Sequence, residues 1–462
     1  MLQPNFDVMV VPASPNEVVH FTIVGRPASG IGLDELREKL NVKSFDECLP
    51  DKSTLLTIAD RLEALGFEVF RDAMTLHVSA RGTVARFEHV FQTQLVKNVQ
   101  HVTIEADPAQ PATYIQEWFA IKDDATEPSL AAIPGALVIA LPPAPRFFTP
   151  RLPPIFPGPL RVPGDIAQLL NASATHRQQV KSTGDRATGG GITVAVIDSG
   201  FARHPYYEEH QYDIQRFASD DASDPYVDPQ QHGTAIIANL FACAPDVSAI
   251  AVKKGLLPEL AFQKARSFNP RVISFSVGYN LGNATAIPAD YVPLAMQVVQ
   301  SVVDNIVVVA AAGNFGLRAF PAMMPECLAV GGVDIGAADQ LSVSSTSSSF
   351  VHPIYPMRKV PDVCAFATKI VLPIADPSGI PGWATLGFTS CATPQVAGVC
   401  ALLLQNNPSL TPQLVRSVLY ETAVDISAGT SATGMVAIHG KDPATGGGLV
   451  DAFAAWKGVR NK

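Results

Sequence analysis

The chain has 462 residues, of which 47% are hydrophobic and only 16% are charged, and its formal net charge is −9. This length is sufficient for two or three domains and a large buried core, and so low a charged fraction excludes global disorder. The acidic balance argues against a nucleic-acid-binding protein. No apolar run reaches the roughly 18 residues of a membrane helix, and no Lys or Arg precedes Arg26, so neither a membrane span nor a signal peptide is predicted. The six cysteines are widely spaced without a CxxC pair, which predicts buried reduced thiols and a cytoplasmic protein.

The N-terminal region mixes helical and strand patterns. Residues 19–24 alternate as a strand, and apolar residues from Leu55 to Leu65 recur at helical spacing before Gly66. Two further short strands and a second helix near Phe87 follow. Helices interleaved with short strands predict a compact α+β domain over residues 17–141.

A proline-rich stretch comes next. Nine prolines lie between Pro142 and Pro163. Proline fixes φ and lacks an amide donor, so this stretch favours an extended linker over a regular element. We therefore predict a linker over residues 142–175 and a second domain over residues 176–462.

The second domain alternates continuous apolar strands with helices. The strands are predicted at residues 192–197, 247–252, 272–277 and 306–312. Strands that are apolar on both faces are typical of a parallel sheet covered by helices on each side. In such an α/β sheet, functional residues are expected just beyond the carboxyl ends of the strands.

Three segments in this domain carry side chains suited to nucleophilic catalysis. Asp198 directly follows an apolar strand, His232 stands in Gln231-His232-Gly233-Thr234 before a helix, and Ser390 stands in Thr389-Ser390-Cys391-Ala392-Thr393-Pro394 before another. Taken singly, each residue is as well explained as a cap or a loop residue. Together they supply a hydroxyl nucleophile, a base that takes its proton, and a carboxylate that orients the base.

These segments resemble the subtilisin-like serine proteases, the subtilases, whose catalytic residues follow the chain order Asp, His, Ser. The resemblance extends over about residues 176–450. It implies a subtilisin-like parallel sheet, peptide-bond hydrolysis, and catalytic roles for Asp198, His232 and Ser390. A fourth segment, Ala310-Ala311-Ala312-Gly313-Asn314, resembles the oxyanion-hole stretch of the family, so Asn314 is expected to donate its side-chain amide to the oxyanion.

The resemblance also implies where a substrate binds. Ser274-Phe275-Ser276-Val277-Gly278 resembles the family's substrate-binding strand, whose free edge pairs with an extended peptide. We therefore predict Ser276, Val277, Gly278, Gly313 and Phe388 as substrate-binding residues. An ordinary core strand is the alternative for residues 274–278.

Two positions depart from the family pattern. Gln395 stands where the family usually has histidine, and Phe388 stands where it usually has glycine, just before Thr389-Ser390. Glycine permits backbone conformations that phenylalanine resists. Phe388 is therefore expected to narrow access beside Ser390. Cys391 has no acid or histidine partner of its own in sequence and is interpreted as a packing residue.

Residues 17–141 resemble the activation prodomain of sedolisin-type proteases. The resemblance rests on the helix-strand pair of residues 55–70 and on Val78-Ser79-Ala80-Arg81-Gly82-Thr83-Val84 with Phe87 and Phe91. It implies a small ferredoxin-like domain that assists folding and blocks the cleft until it is removed. An unrelated α+β interaction domain is the alternative.

The sequence thus predicts an autoinhibited serine endopeptidase whose partners are a peptide or protein substrate and its own prodomain, and which binds neither nucleic acid nor a membrane. Two alternatives remain. One is a transpeptidase or macrocyclase that uses the same acyl-enzyme, and the other is a catalytically dead peptide-binding protein. No cofactor is predicted, and a calcium site is left open.

Overall fold

The computed structural model describes residues 8–104, 112–144, 159–336, 340–367, 369–376 and 378–459. The chain forms two compact units. The first comprises residues 1–145 with two later segments, 256–263 and 286–300, and the second comprises the remaining residues. These two segments thus group with the N-terminal residues, although they lie beyond the predicted domain boundary.

The first unit contains strands and helices from the N-terminal region. The strands are β1 (Val8–Pro12), β2 (Val18–Gly25), β3 (Glu68–Val69), β4 (Val78–Thr83), β5 (Leu95–Ile104), β6 (Ala112–Ile121) and β7 (Ala136–Ala140). The helices are α1 (Leu33–Lys39), α2 (Lys52–Ala64) and α3 (Val84–Phe91). α2 begins at an Asp51 cap whose carboxylate accepts the Thr54 amide, and α3 begins at a Thr83 cap that accepts the Arg86 amide.

Four of these strands form one antiparallel sheet in the order β3-β4-β2-β7. With α2 and α3 between them, the elements run β-α-β-β-α-β, the arrangement of ferredoxin-like domains. Phe21 lies at the centre of the core, and its ring makes edge contacts with Phe67, Phe87 and Phe91. Within residues 17–141, β2, β3, β4 and β7 therefore form one sheet with α2 and α3. β1, β5 and β6 form a separate three-stranded sheet.

The second unit contains most of the remaining elements. Its strands are β8 (Leu160–Arg161), β9 (Thr193–Asp198), β10 (Ile214–Ala218), β11 (Ser248–Lys253), β12 (Val272–Phe275), β13 (Tyr279–Asn280), β14 (Val307–Ala311), β15 (Ala319–Phe320), β16 (Cys327–Ile335), β17 (Leu341–Val343), β18 (Phe350–His352), β19 (Tyr355–Val360), β20 (Val363–Phe366), β21 (Ile370–Ala375) and β22 (Pro381–Leu386). Its helices are α4 (Gly164–Leu169), α5 (Ala172–His176), α6 (Pro205–Glu209), α7 (His232–Cys243), α10 (Thr389–Asn406), α11 (Pro412–Thr422) and α12 (Ala452–Gly458). Two more helices, α8 (Pro258–Arg266) and α9 (Val292–Val303), begin in the first unit and end in the second.

An eight-stranded sheet forms the framework of the second unit. Its strand order is β10-β11-β9-β12-β14-β16-β17, with β20 also paired to β16. Every pair is parallel except β16 with β17. The α/β prediction is therefore confirmed, and the four predicted apolar strands are the central strands β9, β11, β12 and β14. β12 is shorter than predicted, because the chain leaves the sheet after Phe275.

The predicted linker is only partly described. Residues 145–158 lie outside the described residues, while β8, α4 and α5 occupy residues that the linker prediction left without regular structure. The prolines end at Pro163, and the apolar residues Ile166, Leu170 and Ala172 beyond it are buried in the core of the second unit. Burial of these side chains favours short helices there. Within the described residues, no helix combines the length and apolarity required to cross a bilayer.

Candidate active site

Three predicted site segments follow neighbouring strands of the large sheet. Asp198 is the last residue of β9, Ser276 follows the end of β12, and Asn314 lies three residues beyond β14. β12 pairs with both β9 and β14 in parallel. Because carboxyl ends of parallel strands meet at one edge of the sheet, these segments lie at the same edge.

Two helices contribute the other predicted residues. His232 is the first residue of α7, and Ser390 is the second residue of α10. The two helices pack closely at Gly398, where a Cβ would lie 2.8 Å from the Leu240 carbonyl oxygen. Amides of the first helical turn have no partner within the helix, so the amino terminus of α10 offers donors around Ser390.

Asp198 and His232 are hydrogen-bonded. The Nδ1 atom of His232 lies 2.7 Å from Oδ1 of Asp198, whose side chain is fully buried, while the His232 side chain is 21% exposed. The same carboxylate oxygen accepts the Ser199 amide at 2.7 Å and the Ser199 hydroxyl at 3.0 Å. Because Nδ1 donates to the carboxylate, the neutral ring presents Nε2 as an acceptor.

The charges of this pair support each other. Burial alone would raise the pKa of Asp198, but attraction to His232 and the hydrogen bonds from His232 and Ser199 hold that pKa below its ordinary value. Burial would likewise lower the pKa of His232, but the charge and hydrogen bond of Asp198 hold that pKa above its ordinary value. The arrangement therefore stabilises a positive charge on His232.

A second buried carboxylate, which the sequence analysis missed, lies behind this pair. Oδ1 of Asp228 accepts the Ser199 hydroxyl at 2.7 Å, and Oδ2 accepts the Thr234 amide at 2.8 Å. Burial raises the pKa of Asp228. Asp228 lies four residues before His232 in the chain, and this proximity was the only sequence signal for it. Its contacts hold Ser199 and the start of α7 in place.

Ser390 is close to the site but does not contact His232 in this structure. Its hydroxyl donates to the Ser276 carbonyl oxygen at 3.4 Å, and the Ser276 hydroxyl donates to the Ser390 carbonyl oxygen at 3.0 Å. The Ser390 side chain is nearly buried, with the residue 8% exposed. In this structure Asp198 is hydrogen-bonded to His232 and Ser390 to Ser276. The hydrogen bond between Ser390 and His232 that the predicted triad requires is not formed.

Asn314 is oriented by the residue next to Ser390. Its Oδ1 accepts both the amide and the hydroxyl of Thr389, each at 3.0 Å. With the oxygen engaged in this way, the Nδ2 group is the part of the Asn314 side chain that remains as a donor. The Thr389 contact is the interaction that fixes the direction of the amide, and the sequence analysis did not assign Thr389 a role.

Four of the predicted substrate-binding residues, Ser276, Val277, Gly278 and Gly313, are buried or closely packed. Val277 is 3% exposed and Ser276 is 7% exposed. A Cβ on Gly278 would lie 2.8 Å from the Ala319 Cβ, and a Cβ on Gly313, whose φ is +107°, would lie 2.5 Å from the Leu317 carbonyl oxygen. These positions therefore allow close backbone packing, and any recognition by residues 276–278 uses their main chain.

The two departures from the family pattern have distinct environments. Gln395 is buried, and its side chain donates to Asn239 Oδ1 and the Phe366 carbonyl and accepts the Phe366 amide, each at 3.0 Å. Its amide therefore links α10 to both α7 and β20. Phe388 is 7% exposed and has φ +73° and ψ 176°.

The cysteines are all described, and all six are buried free thiols, as predicted. Burial raises the pKa of the Cys391 thiol well above its ordinary value, which favours the uncharged, unreactive form beside Ser390. Across the described ranges, no group of three or more His, Cys, Asp or Glu side chains is arranged to hold a metal ion.

Known proteins share these sequence features. The profile of the subtilase family matches residues 189–448, which contain all four predicted catalytic positions. Alkaline elastase YaB of Bacillus sp. (strain YaB) is 30% identical over 291 residues, 58% of this chain and 65% of that protein. Subtilisin of Bacillus pumilus is 31% identical over 290 residues, 57% of this chain and 91% of that protein. The crystal structure of MycP1 from Mycobacterium smegmatis is 21% identical, with a TM-score of 0.46, over 66% of this chain and 89% of that one.

The match therefore spans just under two thirds of the elastase and nearly all of the pumilus subtilisin. The family profile covers more than half of this chain, and it includes the strands β9, β12 and β14 and the helices α7 and α10 that carry the site. The resemblance inferred from the sequence motifs is confirmed: the chain belongs to the subtilase family.

Proposed function

We propose that this protein is a serine endopeptidase that hydrolyses peptide bonds with Ser390 as nucleophile, His232 as base and Asp198 as its orienting carboxylate. The observation that carries the proposal is the 2.7 Å Asp198–His232 hydrogen bond, in a member of the subtilase family whose Ser390 begins α10. Activation of a serine hydroxyl by such a pair is the established logic of serine hydrolases.

The proposed mechanism moves protons between Ser390, His232 and the substrate. The Ser390 hydroxyl leaves the Ser276 carbonyl, donates its proton to Nε2 of His232, and its oxygen attacks the scissile carbonyl carbon. Asp198 stabilises the resulting imidazolium, which then protonates the leaving amine. Water attacks the acyl-enzyme in the same way, with His232 again as base. Hydrogen bonds of apo enzymes commonly tighten only when substrate binds, so the present Ser390 rotamer is compatible with this role.

The oxyanion of each tetrahedral intermediate needs donors that are already in place. We assign this role to the Asn314 side-chain amide and the Ser390 main-chain amide, because Thr389 holds Asn314 by its oxygen and Ser390 lies in the first turn of α10. The main chain of residues 276–278 is the proposed pairing edge for an extended peptide or protein substrate.

The first unit supports a second part of the proposal, that residues 17–141 inhibit the peptidase in the uncleaved chain. The unit includes residues 256–263 and 286–300, which lie inside the stretch matched by the subtilase family. Three polar contacts join these segments to the N-terminal residues. Two are buried, Thr22 Oγ1 to Glu259 Oε1 at 2.6 Å and His77 Nε2 to Gln297 Nε2 at 3.1 Å. The third, from the Leu141 amide to Asp290 Oδ1 at 3.0 Å, is partly buried.

Apolar packing adds to these contacts. Leu257 and Leu260 are buried against Phe70 and Ala73. A domain that buries both polar and apolar side chains of a later segment is suited to assist folding of that segment and to stay bound until it is cleaved away. Burial raises the pKa of Asp290 to about 6, so its carboxylate is partly protonated at mildly acidic pH.

Labelling with a serine-directed phosphonate tests the nucleophile. We expect the wild-type chain to be labelled and to cleave peptides, whereas Ser390→Ala loses both activities and keeps its fold by circular dichroism. Ser267→Ala is the control, because Ser267 is an exposed serine whose hydroxyl donates to the Lys264 carbonyl. Labelling that persists in Ser390→Ala would place the nucleophile elsewhere. Products whose masses show a new peptide bond would indicate transpeptidation in place of hydrolysis.

Inhibition is tested in the full chain by removing one buried contact. Thr22→Val leaves Glu259 without its 2.6 Å hydroxyl donor, and a hydrogen bond to a charged group contributes about 1.5–3 kcal/mol. We expect the variant to show earlier peptide cleavage and earlier self-processing by intact mass than wild type. Thr57→Val, on the exposed face of α2, is the matched control. Equal lag times for wild type and Thr22→Val would count against inhibition through this contact.

A further inference from the structure

Two phenylalanines flank the proposed catalytic residues in the chain. Phe315 directly follows Asn314, and Phe388 directly precedes Thr389 and Ser390. Their φ angles are +54° and +73°. A bulky residue at positive φ is an outlier, and the Phe388 angles lie in a region that glycine almost alone occupies. Such a conformation persists only where surrounding contacts hold it.

The contacts that hold it include the partner phenylalanine. The two ring centroids are 5.2 Å apart with an interplanar angle of 58°, which is within the range of favourable aromatic pairs. Phe388 is 7% exposed, whereas Phe315 is 42% exposed. The Phe388 ring is therefore packed inward beneath Phe315, and it is not an exposed side chain beside Ser390.

The same two loops are also joined by polar contacts. Asn314 accepts the amide and hydroxyl of Thr389. Each loop is separately tied to its own surroundings, since the Phe315 amide donates to the Thr346 carbonyl at 2.8 Å and the Phe388 amide donates to the Ala367 carbonyl at 2.9 Å. The aromatic pair thus adds an apolar link beside the Asn314–Thr389 link.

We propose that Phe388 is a positioning residue that acts through Phe315 to fix the Asn314 amide relative to the Ser390 hydroxyl. The inference rests on the proposed peptidase function and gives the glycine-to-phenylalanine departure a purpose within it. Catalysis depends on sub-ångström placement of the oxyanion donor and the nucleophile. Loss of either ring is therefore expected to lower kcat by the same factor for every substrate and to leave KM unchanged.

A double-mutant cycle tests this role, with Phe315→Leu, Phe388→Leu and the double variant made in the full chain. Leucine keeps the Cβ and an apolar side chain, although a smaller one, and removes the ring contact. We expect each single variant to lower kcat by about 2- to 12-fold, which corresponds to about 0.5–1.5 kcal/mol for an aromatic pair. The double variant should show little further loss, because the coupled contact is already gone. Phe388→Tyr, which retains the ring, should restore wild-type kcat.

A second aromatic pair provides the matched control. Phe217 and Phe268 have centroids 4.3 Å apart, and Phe217 lies on β10, the first strand in the sheet order. The corresponding leucine variants should leave kcat unchanged. All variants are measured with peptides that carry small or bulky side chains on either side of the scissile bond.

The possible outcomes separate the explanations. Gains confined to bulky substrates in Phe388→Leu would show that Phe388 restricts access and would overturn the positioning role, as would fully additive losses. Phe315 is half-exposed, so Phe315→Leu is a usable test even if Phe388→Leu fails to fold, and an unchanged kcat in it would also overturn the role. A wild-type chain that the phosphonate does not label would instead remove the proposed peptidase function, and the inference with it.

Discussion

The Asp198–His232 half of the candidate site and the Asn314–Ser390 half are held by different interactions. Asp198 lies in a buried side-chain network in which Ser199 and Asp228 supply further hydrogen bonds. Asn314 and Ser390 instead lie next to residues of positive φ, since Gly313 and Phe315 flank Asn314 and Phe388 lies two residues before Ser390. Side-chain hydrogen bonds and charge hold the first half, although Gly200 and Gln231 in it also have positive φ. In the second half, the positive φ angles are accompanied by the Asn314–Thr389 hydrogen bonds.

The second half also contains a contrast of its own. At Gly313, an added Cβ would lie 2.5 Å from the Leu317 carbonyl oxygen, so the backbone itself excludes any side chain. At Phe388, φ is also positive, but the side chain is accommodated and its ring packs on Phe315. A position of positive φ beside the candidate site can therefore tolerate a large residue where space and a packing partner exist, at a cost in backbone energy.

The largest effect is expected from breaking the first half with Asp198→Asn. The neutral amide no longer stabilises the imidazolium or fixes the His232 tautomer, so kcat should fall by about 10⁴ with the fold intact. The acid limb of kcat/KM should also move to lower pH. His232 works as a base only when neutral, and Asp198 holds the pKa of His232 above its ordinary value, so removal of that charge lets the ring lose its proton at lower pH.

The pH profile of kcat/KM, measured for wild type and Asp198→Asn, checks both expectations. Asp246→Asn, a change to an aspartate that has no part in the Asp198–His232 network, is the control for the loss of one negative charge. A limb that stays in place in Asp198→Asn, or a loss of kcat below tenfold, would show that the carboxylate does not act on His232.

A smaller effect is expected from Asn314→Leu in the second half. Leucine has a similar size but donates no hydrogen bond, and the loss of one oxyanion donor lowers kcat by about 10²–10³ with little change in KM. Asn314→Asp separates the donor from the structural role, because its carboxylate can still accept both Thr389 hydrogen bonds. Both variants should lose kcat, but only Asn314→Leu should lose the stability that these bonds provide. Full activity in either folded variant would exclude the donor role.

The sequence predicted candidate residues in both halves of the site, but not the contacts that hold them. Asp198, His232 and Ser390 each stand in a short local motif that can be recognised in the sequence. The apolar strands around them could be predicted because they are buried on both faces. Asp228 was missed because its role depends on Ser199, a residue 29 positions away in the chain. No periodicity or spacing reports a contact of that kind.

The second half and the first unit depend even more on long-range contacts. The sequence indicated that Phe388 stands where the family usually has glycine, and from the size of its side chain we predicted that it narrows substrate access beside Ser390. Its burial beneath Phe315 results from the backbone conformation, which the residue type disfavours. Similarly, the grouping of residues 256–263 with the N-terminal residues rests on contacts such as Thr22 to Glu259, 237 positions apart. Composition and pattern contain no information about such pairs.

The smallest effect compares alanine and glycine at Phe388 and tests the backbone conformation directly. Both substitutions remove the buried ring, which costs about 3–5 kcal/mol of unfolding free energy. Alanine keeps a Cβ in a region nearly exclusive to glycine, whereas glycine relieves about 1–3 kcal/mol of backbone strain. We therefore expect Phe388→Gly to be more stable than Phe388→Ala by about 1–3 kcal/mol in urea unfolding, measured in a Ser390→Ala background to prevent self-cleavage.

Phe350, a buried residue of β18 without a positive φ, is the control position. There the order should reverse, because glycine in a strand is about 0.5–1 kcal/mol less stable than alanine. If alanine is the more stable substitution at both positions, Phe388 does not occupy a strained backbone, and the contrast between it and Gly313 disappears.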